Sequence, residues 1–278
     1  MPRLSILHTL RETLNLFLSE WRFFGTIVIG PVLVITGASL IVRLATQTAA
    51  GTVLGILTLV VLMFSWVRLA VCCHRFILLG EQPSSFIQGS RWQMRDTWFA
   101  LYGIAIYLFA WFFMFLAAVG ASALSPFLAL LPNWLLIPLA ALGVIAMWLF
   151  FAYLMGRLSL ILPATAVDRR PAKDWMDWAW SQSAGNEWPL MFLLGVNPTV
   201  GGLLLDPITQ TMIQYGNQHA ALLASLIYGL AWGLYFIATI FQVAVLSLSL
   251  KQISADKPED NPQSSIAPDL NLQMEAPT

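Results

Sequence analysis

Six apolar runs of about 20 residues divide this chain, at about 24–45, 51–71, 98–121, 134–158, 188–205 and 220–250. At ~1.5 Å rise per residue, about 20 helical residues cross the ~30 Å hydrocarbon layer. Inside that layer the backbone has to satisfy its own hydrogen bonds, so runs of this kind fold as helices. With 58% hydrophobic and only 10% charged residues, the whole chain leaves the globular range and reads as an all-α polytopic membrane protein with six transmembrane helices.

The placement of charge carries more information than the net charge of zero. Every Lys and Arg except Arg43 falls in or beside the N-terminus, the second-to-third connection, the fourth-to-fifth connection or the C-terminal end. By the positive-inside rule both termini and both long connections are cytoplasmic, which predicts an inner (cytoplasmic) membrane protein with three short outer turns. The first run starts too late and runs too long for a cleavable signal peptide and is expected to be retained.

Residues 1–22 are expected to form an interfacial amphipathic helix, 23–252 the six-helix domain and 253–278 a disordered cytoplasmic tail. In the first, Leu7, Leu10, Leu14, Phe17 and Trp21 make an apolar stripe, with Arg11, Glu12, Asn15, Ser19 and Arg22 off it. A second such helix spans 172–184, with Ala172, Trp175, Met176, Trp178, Ala179 and Trp180 on one face; it suits lipid contact and packing on the bundle equally. A weaker one is placed at 86–96, after a capping box at 85–88. The tail is Asp-, Pro-, Gln- and Asn-rich and lacks the large hydrophobes that would offset its ordering entropy.

The units resemble one another. Glu20-Trp21, Asp96-Thr97-Trp98 and Glu187-Trp188 each close an interfacial segment and open a span, so Trp21, Trp98 and Trp188 are expected as interfacial anchors. Pro31 and Pro198 follow their tryptophans at the same spacing, whereas the middle unit has Leu108 there. Arg68, Arg157 and Gln242 lie near the ends of the returning spans. The pattern predicts a threefold two-helix repeat of parallel type; aromatic belts and charge bias in an ordinary six-span protein are the competing explanation.

The candidate ligand-binding or anion-binding residues are Arg68, Arg157, Gln242 and Asn197. Asn197-Pro198 interrupts the fifth run, and broken helices mark substrate sites in transporters, although packed proline kinks are the commoner case. Arg68 and Arg157 have no acidic residue at matching depth in this reading, so each snorkels to the interface or meets an anion such as a lipid headgroup. Gly51-x-x-x-Gly55 and Gly229-x-x-x-Gly233 suit close helix packing, and Asp206 before Pro207 reads as the N-cap of a short outer helix. Adjacent Cys72 and Cys73 do not suit a disulfide and are expected as small buried side chains. His8, His74 and His219 lie on separate segments, no catalytic or phosphate-loop motif is present, and no connection is long enough for a soluble domain. No cofactor, metal or nucleic-acid partner is expected.

The fragments RFILLGEQP, from Arg75, and LPATAVDRRP, followed by a tryptophan-rich amphipathic helix and E-W, resemble uncharacterised bacterial inner-membrane proteins. These are similar to the six-span membrane domain of glycerophosphodiester phosphodiesterases and, more distantly, to Yip-type membrane proteins. The resemblance covers residues 1–252 and implies an integral inner-membrane protein of unassigned role; it brings no catalytic residues, and the phosphodiesterase domain has no counterpart here. The expected role is a non-catalytic scaffold whose partners are the bilayer, anionic lipid headgroups or other membrane proteins. The alternative is a small-solute or lipid transporter using the break at Asn197-Pro198.

Overall fold

A computed structural model describes residues 4–45, 49–81, 92–128, 132–167 and 175–255, and every regular element among them is helical. In chain order these are α1 (Ile6–Ser19), α2 (Trp21–Ala45), α3 (Ala49–Leu79), α4 (Met94–Leu128) and α5 (Asn133–Leu158). After the short α6 (Ile161–Ala166) come α7 (Trp175–Ser183), α8 (Glu187–Leu190), a π-helical turn (Met191–Val196), α9 (Asn197–Asn217) and α10 (Ala221–Ala255). Five stretches are long and apolar enough to cross a membrane: Trp21–Ala45, Val53–Leu79, Met94–Ala123, Trp134–Ala166 and Ala221–Ala255.

The fifth apolar run is not among them, and it departs from the sequence reading in two ways. Instead of stopping near residue 205, helical structure continues from Glu187 to Asn217. Asp206 therefore lies inside α9 and caps nothing; its Oδ1 accepts a hydrogen bond from the Tyr235 hydroxyl at 2.5 Å, and Thr209 contacts the same hydroxyl at 2.9 Å. These bonds to α10 hold as helix a stretch whose polar residues suggested a loop. Nor does Asn197-Pro198 open the chain. Proline has no N–H to donate and its ring crowds the carbonyl four residues back, and here the preceding turn widens to π geometry and carries the helix through. Pro31 likewise lies inside an unbroken α2.

α10 is the central pillar. It runs antiparallel to α2, Gly233 facing Val32 and Gly229 facing Thr36, so close that a Cβ on Gly229 would collide with the Thr36 hydroxyl. The 229–233 motif thus works within the chain, as small residues do wherever helices approach closely in lipid. A Cβ on Gly55 would meet nothing within 4 Å among the described residues. Arg43 bonds Asn217 at 2.9 Å, joining the far ends of α2 and α9, so these two helices run in the same direction.

The two ends of the bundle differ. At the proximal end, where α2, α4 and α8 begin and α3, α5 and α10 finish, residues 67–71, 160–161, 163–166 and 243–247 are almost all buried. At the distal end the α4–α5 hairpin stands largely exposed, from Tyr107 to Val119 and from Trp134 to Ile145.

α1 turns an unexpected face inward. Its buried residues are Thr9 and Thr13, which return their hydroxyl hydrogens to Ser5 O and Thr9 O and so enter the interface without unpaired groups. Of the expected apolar stripe, Leu10 and Phe17 pack against the core, while Leu7, Leu14 and Trp21 are exposed together with Leu18. Small threonines allow the close approach to α10 that leucines would prevent. α7 divides in the same manner: Ala179 is buried and Trp178 packs on the core, while Met176 and Trp180 are partly exposed. Most of the expected 86–96 helix, the turn at 46–48 and the tail from residue 256 lie outside the described residues.

Candidate functional site: a buried polar layer at the proximal end

Arg68 sits on the last third of α3 and is 8% exposed. Its Nη1 donates to Asp96 Oδ2 at 2.6 Å, and Asp96 is fully buried in the first turn of α4. The same oxygen accepts the Gln93 backbone N–H at 2.6 Å, so Asp96 both caps α4 and neutralises Arg68. Arg157 is held more completely. Its Nε donates to Ser183 Oγ at 2.8 Å, its Nη1 to the Tyr153 hydroxyl at 2.8 Å and its Nη2 to Trp180 O at 2.9 Å. The guanidinium lies 3.8 Å from the Trp180 ring centroid, and Glu187 is 3.6 Å away.

The expectation that neither arginine has a carboxylate at its depth is therefore wrong. Asp96 and Glu187 are the acidic residues that open α4 and α8, separated in sequence from their arginines by the long connections, and only folding back brings them to the same level. Buried charges persist when paired and hydrogen-bonded, and both arginines meet that condition inside the chain. Gln242 donates to Leu193 O of the π-helical turn at 3.5 Å. Of Asn197 and Pro198 the backbone is helical; their side chains lie outside the described residues.

The pairing has an order that the sequence pattern only hinted at. Each arginine lies toward the C-terminal end of its helix, Arg68 eleven residues before the end of α3 and Arg157 in the last turn of α5, and each pairs with an acidic residue in the first turn of a following helix, Arg68 with Asp96 and Arg157 with Glu187. Each acid also accepts a backbone N–H just before its own helix, Gln93 for Asp96 and Gly185 for Glu187. Burial pushes the Glu187 carboxyl up, but hydrogen bonds from the Glu187 and Gly185 N–H groups and the Arg157 charge outweigh it and hold it below the usual carboxylate range. In the sequence pattern Gln242 stands where the other two stretches have Arg68 and Arg157.

His74 was missed as part of this layer. Ser247 Oγ donates to Val243 O at 2.9 Å, which leaves it to accept from His74 Nδ1 at 2.7 Å; His74 Nε2 and Asp96 Oδ1 are buried with no hydrogen-bond partner among the described residues. Nothing in the spacing of His74 and Ser247 announces a contact between α3 and α10. Arg75, one residue on, was legible only as part of a motif: Gly80, at φ +70°, ends α3 and turns the chain so that Glu81 reaches back to form an ion pair with Arg75, which also donates to Ala166 O at 3.2 Å. Cys73 is buried and Cys72 is half-buried, and neither forms a disulfide among the described residues.

A glycine sets the fit between α5 and the π-helical turn. A Cβ on Gly156 would lie 2.9 Å from Leu190 C and Met191 N, backbone atoms that cannot swing aside. Trp21, Trp98 and Trp188 all sit exposed at the proximal end, the arrangement an aromatic belt requires. The described residues contain no cluster of three or more His, Cys, Asp or Glu that would hold a metal ion. Compared with protein-family models, curated proteins and solved structures, the chain matches none.

Proposed function

We propose that this chain is a six-span inner-membrane protein, both termini cytoplasmic, built from three two-helix units and acting as a non-catalytic scaffold for other membrane components. The observation that carries the reading is how the charges of the proximal end are used. Arg68 and Arg157 close on Asp96 and Glu187, so these polar groups lock helices together instead of lining a receptor for solute. What the chain then offers outward is apolar and aromatic surface, above all on α4 and α5. The alternating Arg-to-acid links support the repeat in two of its three units. The resemblance of RFILLGEQP and LPATAVDRRP to the membrane domain of glycerophosphodiester phosphodiesterases agrees with a role that lacks catalytic residues of its own.

Topology is tested with reporter fusions: a periplasm-active reporter that works at residue 90, 175 or 255 overturns it. The scaffold role is tested with photo-crosslinking side chains at Phe112 and Leu142. Reproducible capture of one membrane partner is expected, and lipid adducts alone at both positions would remove the reading.

One observation favours a second reading. A six-residue π-helical turn immediately precedes Asn197-Pro198, and π turns recur at functional sites. On that reading the protein moves a small solute or lipid past the turn. Solute uptake by reconstituted protein that disappears in Asn197→Leu establishes transport and displaces the scaffold.

A further inference from the structure

With Arg68 and Arg157 neutralised internally, the basic groups still directed outward at the proximal end deserve the role those two were expected to fill. Leu7, Leu14, Leu18 and Trp21 are 81%, 51%, 63% and 61% exposed. Within α1, spacings of three, four and seven put Leu7, Arg11, Leu14 and Leu18 on one side, and Trp21 and Arg22, exposed as well, open α2 just past the turn at Glu20. Both arginines are exposed and neither takes part in an ion pair among the described residues; Arg22 lies 5.7 Å from the Trp21 ring centroid. The acidic residues are turned elsewhere: Glu12 accepts from Gln252 of α10 at 2.9 Å, and Glu20 is half-buried.

α1 also lies across the bundle instead of projecting from it. Leu4 N donates to Asn186 Oδ1 at 2.7 Å, beside the start of α8, and the other end of α1 runs into α2. Between them, Thr9 and Glu12 both meet the single residue Gln252. Residues 4–12 therefore sit at one level of the bundle, with the polar side on α10 and the leucines outward, next to a tryptophan that opens a membrane-spanning helix. An apolar stripe with Arg11 and Arg22 as the charges beside it, at that level, matches the boundary between acyl chains and anionic headgroups.

We infer that the outward face of α1 docks on an anionic phospholipid leaflet, its leucines and Trp21 at the headgroup–acyl boundary and Arg11 and Arg22 against lipid phosphates. This rests on the membrane reading above and adds the lipid class; it does not depend on the number of spans or on the scaffold role. The unaltered full chain is placed in nanodiscs of phosphatidylcholine mixed with phosphatidylglycerol, and the lipid retained on purification is measured. A preference for phosphatidylglycerol is expected, falling as salt is added. It falls about fivefold on Arg11→Gln or Arg22→Gln and roughly 25-fold on both. A preference that ignores salt and both substitutions overturns the inference. A nitroxide at Leu18→Cys, with Cys72→Ala and Cys73→Ala, gives a test that leaves the arginines intact. Dissolved oxygen reaching it while chelated nickel does not is the expected result; the reverse places α1 in water and ends the proposal.

Discussion

α4 and α10 each span 35 residues, and both are apolar enough to cross a membrane. Yet in their most apolar stretches half of α10 is buried in the protein and only 6% of α4 is. Apolar character does not separate them, because in a bilayer lipid solvates a leucine as well as protein does. What separates them is the size and pairing of the contact residues. α10 presents Gly229, Gly233, Ser225, Ser247 and Ser249 to its neighbours, whereas the middle of α4 is Tyr107, Trp111, Phe112 and Phe115, too bulky to let another backbone close in. At its proximal end α4 does join the core, where Asp96 and Phe99 are buried against α3.

The strongest way to break this contrast is to remove one partner of the buried ion pair. Asp96→Leu leaves Arg68 buried and uncompensated and is expected to cost about 3–5 kcal/mol. Arg68→Leu combined with Asp96→Leu is expected to recover most of that loss, since an apolar pair of similar volume often replaces a buried ion pair without penalty. Denaturant unfolding in detergent reads both, and equal instability of single and double variants would show that the pair does more than neutralise itself.

Glycines sharpen the comparison at the next level. Gly156→Ala forces a methyl against the Leu190–Met191 backbone and should destabilise by about 1–3 kcal/mol. Gly120→Ala on the distal part of α4 meets nothing and should instead stabilise by about 0.5–1 kcal/mol, by reducing the freedom of the unfolded chain. Melting temperatures moving in the same direction would erase the distinction between the ends.

Acid should loosen the proximal end selectively. The Glu187 carboxyl is held below its unfolded value, so its contribution is complete at neutral pH and is lost as pH falls through the lowered folded value. Fluorescence of the aromatic cluster around Trp180 is expected to report an acid step that Glu187→Gln abolishes, and a step that survives that substitution belongs to another group. The smallest effect is expected on the distal surface, where Phe112→Ala should change stability by no more than about 0.5 kcal/mol. A larger loss would mean that Phe112 is covered in the intact protein.

Parts of the candidate site were legible in the sequence. Asp96, Glu187, Arg68 and Arg157 all stood out because each is a charge at the margin of an apolar run, and they form two ion pairs at the proximal end, with Asp96 fully buried and Glu187 partly exposed. Their partnership was not legible, since 28 residues separate Arg68 from Asp96 and the intervening segment hides their depth. The α1 stripe misled in a different way: amphipathic spacing says that a helix has two faces, and not which one the protein claims. On α1 the protein took the threonines.

Composition, the length of the apolar runs and their punctuation by charge determined by themselves that this chain is helical and suited to a membrane, because backbone hydrogen bonds and lipid thickness allow little else. The GxxxG spacing in the last run likewise announced close packing. Tertiary structure alone decided that Asn197-Pro198 passes as a π turn and a continuing helix, that residues 206–217 are helix, and which carboxylate meets which arginine. Those outcomes turn on the approach of groups far apart in sequence, such as Tyr235 to Asp206 and Gly156 to Leu190, and no local spacing encodes an approach of that kind.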